Sequence, residues 1–388
     1  MPDSNDTKNH HDLLALVFGG GGAHAAYEVG FLRGLASHYP ELDAPILTGV
    51  SAGALNAVFL ANHRGPFAVA VEDLSRLWQN LTIEQVFRTD SISLLKNLLH
   101  WQISLVSGGL IQAPSGRGMV DPSPLRTLLE GQFATDGTAL GGIRENLRRG
   151  HLKALAISAT DYCADRAVTW VQGKEIASWD RPHRYGVTAE LTIDHIMASA
   201  ALPLFFPAVR VEDCWFGDGG LRQTAPLAPA LHLGAQRILA VSTRYEKPDD
   251  GLSTVSLAEH PPPAQVIGTL LNAIFLDLFL QDAQMMERIN RLLAERTGDT
   301  ASGFRHIDFF LQRPSRNISE LADTFQHDLP KMFRYLVRGL GTHRAGSPGW
   351  LSIVMFDTSY LREMMAIGEA DARDKMTDIA AVIEGTSP

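Results

Sequence analysis

The chain has 388 residues, 45% of them apolar and 20% charged, a globular balance with ample material for a large core. A formal charge of −9 without any dense Lys/Arg cluster argues against nucleic acid as a partner and against charge attraction as the main force toward an anionic membrane. No run reaches the ~20 apolar residues of a spanning helix, and the polar start Met1 to Asp12 lacks the apolar stretch of a secretory signal.

With Cys163 and Cys214 read as reduced core thiols, these features describe a cytoplasmic protein.

Residues 1–12 read as a disordered tail. Leu13 to Phe18 is a short apolar run that stops at four glycines, Gly19 to Gly22, and the stretch from Ala26 to His38 then has helical spacing. A second strand, Ile46 to Gly49, leads through Gly49-Val50-Ser51-Ala52-Gly53 into a helix at Ala54 to Ala61. Leu94 to Val106 is apolar on one face and suits either a core helix or a lid beside a cleft. Asp121-Pro122-Ser123-Pro124 is a helix start. Leu152 to Thr160 and Ala167 to Val171 form a hairpin across Ala164-Asp165, and Ile193 to Ala201 is a helix stopped by Pro203. Val209 to Phe216 reads as one strand ending in Gly217-Asp218-Gly219-Gly220, followed by a helix from Pro226 and a strand from Arg237 to Ser242.

A Pro-rich loop at 246–263 separates this part, residues 13–245, from a mainly helical region, 264–388, with one strand at His306 to Leu311. Alternating strands and helices predict an α/β protein with a mostly parallel sheet covered on both faces, the α/β/α arrangement.

Two local patterns carry chemistry. Gly-x-Ser-x-Gly between a strand and a helix is the context of a nucleophile elbow, with Ser51 on the bend and Gly49 and Gly53 flanking it. Gly20-Gly21-Gly22-Ala23-His24-Ala25 after a strand fits two uses. One is a dinucleotide fingerprint, which needs an acid at the end of the next strand, whereas Glu41 and Asp43 precede that strand. The other is an oxyanion hole, with backbone amides at a helix N-terminus aimed at a developing negative oxygen. A serine nucleophile needs a base. His183, His195, His232 and His260 follow no strand end in a glycine-rich turn, while Asp218 does, although Asp-Gly is also a common hairpin signal.

In combination these motifs resemble the patatin-like phospholipase family over about residues 13–245. Gly20 to His24 stand as the oxyanion loop, Gly49 to Gly53 as the elbow, and Asp218-Gly219-Gly220 as the aspartate turn; Ser199 to Pro207 is similar to the segment before it. The resemblance implies a Ser51–Asp218 dyad without histidine, metal or cofactor, acting on phospholipid or lysophospholipid esters with possible peripheral contact to a membrane. The same acyl-enzyme would serve a thioesterase or an acyltransferase, and a non-catalytic nucleotide- or lipid-binding module is the remaining alternative. One departure stands out: His24 takes the place of the family's Arg or Lys. A histidine titrating near its ordinary pKa of ~6.5 there would make activity depend on its protonation.

Overall fold

The computed structural model describes residues 13–88, 118–133, 135–136, 139–223, 226–245, 266, 269, 278–295, 304–325 and 352–386. The expected tail at 1–12, the lid helix at 94–106, the loop at 246–263 and the helical run at 326–340 lie outside these residues.

Ten strands form one sheet. They are β1 (Leu14–Phe18), β2 (Ile46–Val50), β3 (Ala154–Asp161), β4 (Arg166–Gly173), β5 (Trp179–Arg181), β6 (Arg184–Thr188), β7 (Val209–Val211), β8 (Cys214–Asp218), β9 (Arg237–Val241) and β10 (Asp308–Gln312). The main order is β10-β9-β1-β2-β3-β4-β6-β5. The first five of these run parallel, and β4 turns back antiparallel to β3. β1 shows why the sequence gives unbroken apolar runs in place of alternation. Leu14, Leu16 and Phe18 enter the larger core while Ala15 and Val17 enter a smaller one, so both sheet faces are covered.

Helices α1 (Ala25–His38), α2 (Ala52–Asn62), α3 (Phe67–Gln79), α4 (Ile83–Val86), α5 (Ser123–Gln132), α6 (Gly141–Arg149) and α7 (Ile193–Ser199) come in the first half. They are followed by α8 (Ala228–His232), α9 (Leu278–Ala294), α10 (Ile318–Phe325), α11 (Thr358–Asp374) and α12 (Met376–Glu384). The smaller core holds Ala230 of α8 and Phe279, Ala283 and Met286 of α9. The larger core joins α1, α2 and α3 with Tyr360, Leu361, Met364 and Met365 of α11. The C-terminal segments are thus built into the molecule: β10 extends the sheet beside β9, and α11 lies against α1.

Two expectations need correction. Val209 to Phe216 is not one strand. A tight turn at Glu212-Asp213, with Glu212 at φ 52°, folds it into the β7–β8 hairpin. Nor are the cysteines both core residues: Cys163 is exposed in the β3–β4 turn and Cys214 is half-buried at the start of β8.

The α1–α11 contact depends on close backbone approach. A Cβ at Gly30 would lie 2.0 Å from the Met365 carbonyl oxygen, which a helix backbone cannot vacate. Gly30→Ala is therefore expected to destabilise the protein by about 1–3 kcal/mol, seen as a lower denaturant midpoint; an unchanged midpoint would show that the two helices can part freely.

Candidate active site

Strand β3 brings the site together. On one of its edges, Val50 at the end of β2 pairs with Ser158, and Asp218 at the end of β8 pairs with the next residue, Ala159. β2 arrives parallel and β8 antiparallel, so their ends meet on the same edge. Ser51 directly follows Val50, and its Oγ donates a 2.6 Å hydrogen bond to Oδ2 of Asp218. Ser51 holds φ 55° and ψ −133°, a costly conformation for a residue with a Cβ, as a sharp strand-to-helix bend requires.

The last residue of α7 and the segment after it splint both residues. Ser199 Oγ accepts the Ser51 amide at 3.0 Å and donates to the Ser158 carbonyl at 2.7 Å. The Asp218 amide donates to the Ala201 carbonyl at 2.9 Å, and Thr160 Oγ1 donates to the Asp218 carbonyl at 2.8 Å.

Asp218 is fully buried, and among the described residues its carboxylate accepts from Ser51 Oγ and the Gly220 amide. Burial pushes its carboxyl up to about 7, against those two hydrogen bonds. That puts a carboxyl group near neutrality, where a general base works best. Among the described residues no histidine bonds to Ser51 or Asp218. His195 closes the α7 capping box with Thr192 and lies edge-on to Trp170, His232 stacks on Trp179, and His183 is exposed. His260 lies outside the described residues.

The glycine loop stands beside this pair because β1 and β2 are neighbours. Gly20, Gly21 and Gly22 have φ of 72°, 109° and 61°, a run of left-handed backbone that residues with a Cβ avoid. The loop touches the elbow closely: a Cβ on Gly53 would lie 2.8 Å from the Gly20 amide nitrogen. The Gly20 amide does not face the serine. It donates to Glu28 Oε1 at 2.7 Å, and the Gly20 carbonyl accepts from Thr243 Oγ1 at 2.8 Å. Among the described residues, the amides of Gly21 and Gly22 have no such acceptor. The amide of Gly20, one of the expected oxyanion donors, is thus engaged by Glu28.

His24 also differs from expectation. It is fully buried, shares a 2.8 Å hydrogen bond between Nε2 and Ser352 Oγ, and has no partner for Nδ1 among the described residues. Burial pushes its pKa down to about 4, so it stays neutral where an exposed imidazole would titrate. A buried, neutral imidazole does not fit the expected charge switch. The dinucleotide use of the loop fails as well, since Glu41 and Asp43 are exposed before β2 and the end of β2 is occupied by the elbow.

Ser51 is 7% exposed, and it opens onto an apolar pocket with about 760 Å³ of empty space including its mouth. Leu55 of α2, Trp78 of α3, Leu125 and Leu129 of α5, Met197 of α7 and Ile353 line it, with Ser51 and Gly22 at the polar end.

The family model for patatin-like phospholipases matches residues 16–231, more than half of the chain. The chain belongs to the patatin-like phospholipase family. No curated protein matches it in a sequence search. Among solved structures it is similar to human GIVD cytosolic phospholipase A2, at 11% identity and TM-score 0.45, over 96% of this chain and 60% of that one. It is similar to VipD from Legionella pneumophila at 13% identity and TM-score 0.36, over 79% of this chain and 61% of that one. For ExoU in the ExoU–SpcU complex of Pseudomonas aeruginosa the values are 15% identity and TM-score 0.26, over 96% and 77%. The chain thus spans about six tenths of the human enzyme and of VipD. With every TM-score below 0.5, the chemistry has to be read from this chain's own residues.

The raised Asp218 carboxyl has a signed effect on stability. In the unfolded chain the group ionises near 3.8, and in the folded chain near 7. The unfolded state therefore holds fewer protons between those values, and stability falls as pH rises through that window. Relative to wild type, Asp218→Asn should gain up to about 4 kcal/mol from pH ~4 to ~7, read by denaturant unfolding at each pH. A constant difference between the two proteins would contradict the buried, raised carboxyl.

Proposed function

We propose that this chain is a serine acyl hydrolase that cleaves carboxylic esters of phospholipids or lysophospholipids through Ser51 and Asp218. The observation that carries the reading is the 2.6 Å Ser51–Asp218 hydrogen bond at the polar end of an apolar pocket, beside a glycine loop with two amides that have no acceptor among the described residues. An acyl chain fits a pocket lined by leucine, methionine, isoleucine and tryptophan, and the ester it carries is then held next to Ser51.

In this reading Ser51 Oγ attacks the ester carbonyl carbon and passes its proton to Asp218. The amides of Gly21 and Gly22 hold the negative oxygen of the tetrahedral intermediate, a task worth about 3 kcal/mol per donor in a well-studied case. Collapse expels the alcohol, which takes the proton back from Asp218 and leaves an acyl-serine. A water molecule then gives a proton to Asp218 and attacks the acyl carbonyl, and Ser51 leaves with the returned proton. An alcohol acceptor in place of water would make the same intermediate an acyltransferase, and a thiol leaving group would make it a thioesterase.

Supply of substrate from a lipid surface belongs to this proposal. No described helix is long and apolar enough to cross a membrane, so contact with one would be peripheral along the described part of the chain.

The test is hydrolysis of a lysophosphatidylcholine series with product analysis. Wild type should release free fatty acid, and Ser51→Ala should lower kcat by at least about 10³-fold. The rate should rise with pH and reach half its plateau near 7, where Asp218 loses its proton. Activity that survives Ser51→Ala, or a profile flat from pH 5 to 8 (about one unit or more either side of that value), would sink the reading.

A further inference from the structure

Behind the glycine loop lies a second buried carboxyl group that the dyad chemistry does not use. Glu28, in the first turn of α1, is fully buried. Its Oε1 accepts the Gly20 amide at 2.7 Å, and its Oε2 accepts Asn56 Nδ2 at 2.8 Å. Burial pushes this carboxyl up to about 8, opposed by the hydrogen bonds from Gly20 and Asn56, and among the described residues no cation pairs with it. Burying an acid without a cation is costly, and a neutral amide of nearly the same shape avoids the cost. The surroundings explain why the amide does not fit.

The direction of each hydrogen bond is fixed from the far end. Trp78 Nε1 can only donate, and it donates to Asn56 Oδ1 at 2.9 Å. That orients the Asn56 amide, so its Nδ2 points at Glu28 Oε2 and also donates to the Ala25 carbonyl at 3.2 Å. On the other side Gly20 offers an N–H. The group at position 28 must therefore accept on both sides, which an ionised carboxylate does outright and a protonated one does through its carbonyl oxygen and a lone pair of its hydroxyl oxygen. Glutamine has one acceptor oxygen, and its NH₂ would face either the Gly20 amide or the Asn56 amide. Gly20 in turn packs against the elbow, where an added Cβ would lie 2.3 Å from the Val50 carbonyl oxygen. A shift of Gly20 therefore moves the loop relative to Ser51.

We propose that Glu28 is a positioning residue for the reaction. Its carboxyl group, aligned by the Trp78–Asn56 pair, holds the Gly20 amide away from the serine and so aims the Gly21 and Gly22 amides at the carbonyl oxygen of the substrate. The proposal rests on the acyl-hydrolase reading for its catalytic part; the anchoring of the loop stands apart from it. Trp78 also lines the acyl pocket, so the network runs from the wall beside the acyl chain to the oxyanion loop.

Glu28→Gln breaks the order of donors and acceptors, and Glu28→Gln/Asn56→Asp restores it along Gly20, position 28, position 56 and Trp78, giving up the longer 3.2 Å donation from Asn56 to the Ala25 carbonyl. In the double variant the new amide accepts from Gly20 and donates to the new carboxylate, which also accepts from Trp78. Two measurements apply to each variant: hydrogen–deuterium exchange of the peptide containing Gly20 to Gly22, and kcat and KM on a lysophosphatidylcholine. Glu28→Gln should speed loop exchange and lower kcat by about tenfold or more, with KM within about twofold, because misplacement of the loop by a fraction of an ångström to an ångström acts on the transition state. The double variant should recover both to within about threefold of wild type.

Should Glu28→Gln fail to fold, the double variant still decides. A folded protein with wild-type loop exchange supports the proposal, and one that fails to fold or exchanges rapidly in the loop overturns it. Unchanged exchange and kcat in a folded Glu28→Gln also overturn it. A wild type that hydrolyses no ester defeats the acyl-hydrolase reading, while the exchange pattern still decides whether Glu28 anchors the loop.

Discussion

The site depends on one shared strand edge. β2 and β8 both hydrogen-bond to the same side of β3, one ending at Ser158 and the other at Ala159. Parallel and antiparallel ladders use the same edge groups with different spacing, so one strand can receive both in succession. The consequence is that two residues 167 positions apart in the chain come to hydrogen-bond distance without any flexible segment between them and the sheet. Ser199 and Ala201 add side-chain and backbone bonds across the same junction. A site held this way is set by the sheet, with few degrees of freedom left to the side chains.

Two carboxyl groups are buried around it, and neither has a basic partner among the described residues. Each is surrounded by hydrogen-bond donors: a hydroxyl and an amide at Asp218, backbone and side-chain amides at Glu28. Desolvation raises both, and the donors limit the rise. At Asp218 the outcome is a carboxyl group that ionises near neutral pH, which suits the base role proposed for it better than an exposed aspartate would. At Glu28 the same physics yields a rigid acceptor that shapes a loop. His24, buried nearby, is driven the other way and stays neutral. The polar side of the pocket thus works with dipoles and hydrogen bonds, with no fixed positive charge among these groups.

Much of this was legible along the chain. Strand, turn and helix around Ser51 show in local apolar runs and glycines, and β1 with its glycine loop shows in the same way. The β3–β4 hairpin is visible in its two apolar runs. Asp218 was the harder residue, since Asp-Gly also marks an ordinary turn, and its pairing with Ser51 came from the likeness of the motifs to a family. The parts that were not legible are those created by tertiary contact. Glu28, Asn56 and Trp78 lie on three different helices with ordinary helical spacing, and nothing local marks them as one network. The engagement of the Gly20 amide by Glu28 is a tertiary contact of the same kind and is invisible for the same reason. His24 looked titratable because a sequence shows residue type and not burial. The turn at Glu212-Asp213 lacks glycine and proline, so the β7–β8 hairpin passed for one strand.

The most direct measurement of the central claim is reaction with a fluorophosphonate, followed by intact mass and peptide mapping. The account predicts a single adduct on Ser51, absent in Ser51→Ala and formed more slowly in Asp218→Asn, in which the paired base is gone. An adduct on any other residue, or a wild-type protein that does not react, would contradict it.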